Sequence, residues 1–207
     1  MRIVVLGAAG GVGRHASAAA VEQGHEVVAA ARTAPKVAGS RWLPVDVRDA
    51  AALERAVDGV EAVLWCVGVT GRSGGDVGRT AMPLLVAACQ QAGVRRLVSV
   101  SGAGVTLPGD DKGLGARLVS GLTRRLARDL VLDKEGEHAA LAVSGLDWTE
   151  VRAPRLVDRE PTGRWKLTEQ APGLTARPVA KADVALAMLQ LAGSSQWVRR
   201  APFLTAG

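Results

Sequence analysis

The chain of 207 residues contains no tyrosine at all, and only one phenylalanine and five tryptophans accompany that gap. A phenol is therefore unavailable as a general acid or base. The scarcity of aromatics also leaves little surface for stacking nucleic-acid bases. There are two cysteines, Cys66 and Cys89, each inside an apolar run and without metal-ligand spacing. They read as buried thiols in a reducing compartment, so no zinc and no other metal is expected. No stretch reaches the length of a membrane span, and the N-terminus enters a strand pattern without a signal peptide. The expectation is a cytoplasmic protein with no membrane partner. Acidic residues are outnumbered 20 to 26 by lysine and arginine, giving a formal charge of +6. The basic residues are dispersed, with pairs only at Arg95–Arg96, Arg124–Arg125 and Arg199–Arg200. That distribution fits an anionic small molecule better than nucleic acid.

What is present is concentrated at the start. MRIVVLGAAGGVG runs a strand pattern into a turn with Gly7, Gly10 and Gly13 spaced three apart, and RHASAAAVEQG continues as a helix ending at Gly24. Strand, glycine turn and helix bring backbone N–H groups and the positive end of a helix dipole to one point. That point suits a pyrophosphate, and larger side chains at the turn would hinder its approach. Gly7, Ala9, Gly10, Gly11, Val12 and Gly13 are the residues assigned to this cradle. The next apolar run, HEVVAAA, ends at Arg32 with no acid beside it. An acid there would bind a ribose diol, whereas an arginine suits a 2′-phosphate, so NADP(H) is expected in preference to NAD(H).

Strand and helix patterns alternate along the rest of the chain. This predicts an α/β fold, a doubly wound parallel sheet with helices on both faces, in a single domain spanning 1–207. The pattern places strands at RWLPVDV, EAVLWCVG, RRLVSVSGAGV and LDWTEVRAP. Helices are expected from Asp49 to Gly59, through TAMPLLVAACQQAG, from Lys112 to Val143 with an interruption near Gly121, and at KADVALAMLQLAG. A hairpin is expected around Thr162–Gly163. Ligands of such sheets lie across the carboxyl ends of the strands. The candidate residues there are Asp46, Val47, Cys66, Val67, Gly68, the run from Ser99 to Gly104, Ala153 and Pro154. Asp46 is placed either to accept from an adenine amino group or to make a turn.

GAAGGVG, AART, VDV, CVG, RRLVSVSGAG and KEGEHAALAVSGLDWTEVRAPRL together resemble the atypical short-chain dehydrogenase/reductase superfamily. The resemblance extends to ARPVAKADVALAML and is nearest to single-domain NAD(P)H-binding proteins such as flavin reductase (biliverdin-IXβ reductase) and the NmrA-like proteins. It implies a Rossmann fold, and a tyrosine and a lysine four residues apart on the helix after the fifth strand. The lysine position falls on Lys134 and the tyrosine position on Leu130, so half of that machinery is missing. The family serine matches Ser101, or Gly102 in a one-residue shift. The resemblance implies that Lys134 bonds the nicotinamide ribose and that Ala153 and Pro154 pack against the nicotinamide.

Glu137 and His138 follow Lys134 at i+3 and i+4 on the same helix, and His138 is a candidate proton donor beside Lys134 and Ser101. A flavin or quinone acceptor delocalises incoming electrons and needs little help from an acid. The segments 70–79 and 155–178 are expected to border the acceptor, with Trp165 as a stacking surface. The reading is thus an NADPH-dependent reductase of a flat conjugated small molecule. The alternative is a non-catalytic NADP(H) sensor acting through a protein partner. A monomer or a homodimer fits either, since the apolar helices TAMPLLVAAC and VALAMLQLA offer a dimer face if exposed.

Overall fold

In the computed structural model the described residues are 1–71, 73–173 and 175–207. Arg72 and Leu174, within the 70–79 and 155–178 segments, lie outside them. Runs of Val, Ile, Leu and Ala give strands buried on both faces, which is the pattern of a covered parallel sheet. These are β1 (Arg2–Leu6), β2 (Glu26–Ala31), β4 (Ala62–Trp65), β5 (Arg96–Gly102) and β6 (Asp147–Ala153), while the edge strand β3 (Arg41–Pro44) is largely exposed. With β8 (Trp165–Thr168) and β10 (Phe203–Ala206) they form one sheet in the order β3-β2-β1-β4-β5-β6-β10-β8. Every pairing is parallel except β10 with β8. Two short strands, β7 (Leu156–Val157) and β9 (Val179–Ala180), pair separately. This is the expected doubly wound Rossmann sheet. The strand order reverses between β1 and β4, which opens a crevice at their carboxyl ends.

Helices α1 (Gly11–Glu22) and α6 (Lys181–Ala192) pack together on one face, where Ala16, Ala20, Ala185 and Met188 join a core with Ile3, Val5 and Leu64. Helices α2 (Ala50–Val57), α3 (Val77–Ala92) and α5 (Arg128–Ala142) cover the other. There Leu53, Met82, Leu85 and Leu141 close over Val4, Leu6, Trp65 and Leu97. Local signals set the helix ends. Asp49 caps α2 by accepting from the Ala52 N–H at 3.2 Å, and Gly93 ends α3 in the left-handed conformation.

Three expectations need correcting. The helical run from Lys112 is two helices, α4 (Leu114–Leu126) and α5, and the break falls at Ala127 with φ −134° and ψ 50°. Gly121 sits inside α4, where the flanking turns outweigh the cost of about 1 kcal/mol that a glycine brings to a helix interior. The hairpin at Thr162–Gly163 does not form. Asp183 instead holds that turn, accepting from the Thr162 and Gly163 N–H groups at 2.9 Å and from the Thr162 hydroxyl, and β8 pairs with the terminal strand β10. That last strand follows α6 and was not expected.

Candidate active site

A cleft of about 890 Å³ opens at the carboxyl ends of β1, β2, β4, β5 and β6. Its floor is the turn between β1 and α1. Gly7 has φ +82°, and a Cβ on it would stand 2.8 Å from the Cys66 carbonyl oxygen. A Cβ on Gly13 would overlap the Gly7 carbonyl. Both glycines therefore keep β1, α1 and β4 in close contact, and Gly13 acts from behind the turn rather than lining the cleft. No side chain caps the N-terminus of α1, so its dipole end is open to the cleft lined by Gly10, Gly11 and Val12.

The cradle side also holds Ala9, Arg32, Asp46 and Val47, all lining the cleft. The Asp46 Oδ1 accepts from the Arg48 N–H at 3.0 Å, closing a turn at the cleft wall. The polar lining residues on this side that the sequence did not point to are Thr33, Arg48 and Lys181. Arg48 donates to Asp76 at 2.6 Å and to the Ser73 carbonyl at 3.1 Å, tying the 70–79 segment to the cleft. Lys181, at the start of α6, lies against Gly11 and pairs with Asp158 at 2.5 Å. Asp158 also accepts from Arg14 at 2.8 Å, and the Lys181 ammonium holds its carboxyl below the usual range. A lysine opening a helix far along the chain carries no local signal of this position. Only the packing of α6 on α1 supplies it.

The opposite wall is largely apolar. Val100, Val105, Leu130, Val131 and Leu156 line it, together with Cys66, Val67, Gly68, Ser101, Gly102, Gly104, Ala153 and Pro154. Leu130 and Lys134, four apart on α5, both face this space. The Ser101 Oγ is buried and has no hydrogen-bond partner among the described residues, so a polar donor or acceptor stands ready in the cleft. Burial pushes the Cys66 thiol up to about 12, against the pull of Lys134; it is a protonated wall residue, not a nucleophile.

Lys134 is almost wholly buried. Its three ammonium protons meet the Val67 carbonyl at 3.0 Å and the two Glu137 carboxylate oxygens at 2.9 and 2.8 Å. Burial raises the Glu137 carboxyl to about 7 even though Lys134 pulls it down. A hydroxyl entering the cleft would have to replace one of these three contacts. The Val67 contact fixes the ammonium at the carboxyl end of β4.

His138 is not in the cleft. Its Nδ1 lies 2.8 Å from Glu150 Oε2, and its ring meets Trp148 edge-on at 5.5 Å. The i+4 position turns it toward β6, where Trp148 and Glu150 lie, while Lys134 points to β4. Trp165 likewise does not line the cleft and packs against the core under α1 and α6. Among the described residues, no group of three or more His, Cys, Asp and Glu could hold a metal ion.

The donor-rich turn, the open helix end and the apolar wall fit a dinucleotide, and the comparisons agree. A family model described as NAD(P)H-binding matches residues 7–194. An uncharacterized protein of Mycobacterium tuberculosis is 43% identical over 75 residues, covering 35% of this chain and 9% of that protein. The fold is shared with the oxidoreductase ylbE of Lactococcus lactis, at 20% identity and a TM-score of 0.82 over 100% of this chain and 91% of that one. It is also shared with a wide-type short-chain dehydrogenase/reductase of Veillonella parvula in complex with NADP (19% identity, TM-score 0.79, 99% and 94% covered). The anaerobilin reductase ChuY of Escherichia coli O157:H7 is a third such structure (22% identity, TM-score 0.77, 100% and 97% covered). With residues 7–194 matched by that model, this chain belongs to the NAD(P)H-binding family, and its sheet has the Rossmann order.

Proposed function

We propose that the protein is an NADPH-dependent reductase of a flat, conjugated small molecule such as a flavin, a quinone or a linear tetrapyrrole. The observation that carries this reading is Leu130. The position that would hold a phenolic acid lines the cleft and is apolar, and Val100, Val105, Val131 and Leu156 extend the same wall. An acceptor that delocalises charge needs stacking contact more than a side-chain acid, and water entering the open cleft completes its protonation. The tetrapyrrole is included because ChuY, of the same fold, is an anaerobilin reductase.

NADPH, when bound, supplies the hydride. The open end of α1 and the backbone of Gly10 to Val12 hold its pyrophosphate, with Lys181 alongside. Arg32 favours the 2′-phosphate over a bare ribose. Lys134 would hold a ribose hydroxyl in place of one Glu137 contact, and the buried Ser101 hydroxyl would be available to the nicotinamide end. Ala153 and Pro154 form the wall behind it.

The test is titration of the purified protein with NADPH and NADH, followed by NADPH oxidation with FMN, FAD, biliverdin and a panel of small quinones. Tighter NADPH binding with turnover on one of these is the expected result. Tight binding with no turnover on any of them would overturn the reductase reading in favour of an NmrA-like sensor.

A further inference from the structure

Helix α4 presents a face that none of the described residues covers. Leu114, Leu118, Leu122 and Leu126 recur every fourth residue, and they are 85%, 64%, 57% and 76% exposed. At that spacing they form one stripe along the helix. The opposite side, Ala116 and Ser120, is buried. Lys112 anchors it, donating to the Ser120 hydroxyl at 2.9 Å and the Val105 carbonyl at 2.7 Å. The helix is therefore held by its small residues, with its four leucines turned to the outside. A contiguous apolar stripe of this kind marks a contact surface.

The charges select the partner. From Lys112 to Arg128 there is no acidic residue. Arg117, Arg124, Arg125 and Arg128 are all exposed. Arg124 pairs with Glu135 at 2.6 Å, while Arg117, Arg125 and Arg128 make no ion pair among the described residues. A second copy laid on this face would set arginines against arginines. Leucines flanked by arginines, without an acid, fit a layer that is apolar within and anionic at its surface. No helix among the described residues is long and apolar enough to cross a membrane, so the contact is peripheral.

We propose that α4 is an interfacial helix that docks the protein on an anionic lipid bilayer, its leucines at the acyl boundary and its arginines among the head groups. The cleft lies beside it. Thr123 of α4 and Leu130 just beyond it line that cleft, so docking would hold the cleft near the bilayer. Collection of a lipophilic acceptor from the bilayer would follow, and that clause alone rests on the reductase reading.

Flotation of the full chain with vesicles tests the docking. One set is phosphatidylcholine alone, the other equal parts phosphatidylcholine and phosphatidylglycerol. The protein should float with the phosphatidylglycerol vesicles, and less so as salt is raised. Leu118→Gln with Leu122→Gln should lower its partition at least about tenfold, and Arg125→Gln with Arg128→Gln about tenfold or more. None of these residues lines the cleft, so NADPH affinity should not change in either variant, which separates failure of docking from failure of the cofactor site. Absence of flotation, or flotation that the leucine variant leaves intact, would overturn the proposal. So would equal binding to phosphatidylcholine alone. A dimer in sedimentation that the leucine variant converts to monomer, without flotation, would assign the stripe to self-association instead.

Discussion

Lys134 and Glu137 form an ion pair with contacts of 2.8 and 2.9 Å, buried one turn apart on α5 at the edge of the cleft. Burial moves the Glu137 carboxyl from its ordinary 4.5 to about 7. Between those values the unfolded chain has released this proton and the folded chain still holds it. The folded state then binds more protons, so this group's contribution to stability falls as pH rises through the window, by on the order of 3 kcal/mol.

Glu137→Gln removes that titration. Urea unfolding at pH about 5 and about 8 should show the wild type losing stability relative to the variant as pH rises. Equal pH dependence in the two proteins would mean that the carboxylate is ionised across the whole range.

Arg32 follows β2 at the carboxyl edge of the sheet and lines the cradle side of the cleft. If it holds the 2′-phosphate, Arg32→Ala should weaken NADPH binding by about tenfold or more and leave NADH nearly unchanged, because charge-assisted contacts to a phosphate have no counterpart on a bare ribose. Fluorescence titration with both dinucleotides reads this directly. Equal losses would remove Arg32 from that position.

The sheet was legible because its central strands are apolar on both faces and its first turn needs glycines at fixed spacing. Gly7 and Gly13 are required by backbone contact with Cys66 and with each other, and such requirements survive in any sequence that makes the turn. Residues on one helix were harder to direct. Lys134 and His138 are four apart, yet one points to the Val67 carbonyl and the other to Glu150, because α5 lies over two strands. Lys181 reaches the cradle only through the packing of α6 on α1. The leucines of α4 recur every fourth residue in the sequence, but their lack of cover depends on α4 resting chiefly on α5.

His138 is expected to leave turnover alone. Its ring contacts Glu150 and Trp148, away from the cleft, and Glu150 Oε1 has no hydrogen-bond partner among the described residues. His138→Ala removes the partner of a buried carboxyl and should cost about 1–3 kcal/mol of stability. Thermal melts and NADPH oxidation on the same preparation separate the two effects. A lower rate with an unchanged melting temperature would return His138 to proton transfer.

Gly78, in the first turn of α3, shows how tightly α5 is seated on α3. Asp133 of α5 caps that helix from outside it, with Oδ1 accepting from the Gly78 and Arg79 N–H groups at 2.8 and 3.0 Å. A Cβ on Gly78 would overlap Glu137 Oε1 and stand 2.7 Å from Asp133 Oδ2. Gly78→Ala must therefore push α5 outward or break these contacts, and a loss of about 2–4 kcal/mol is expected. Displacing Glu137 also releases Lys134, so NADPH affinity should fall with the melting temperature. Gly121→Ala is the counterpart. That glycine lies inside α4 with nothing within 4 Å of its would-be Cβ, and alanine there should stabilise the helix by up to about 1 kcal/mol. If both variants melted like the wild type, α5 would not be held against α3 by the Asp133 cap and the space that Gly78 leaves for Glu137.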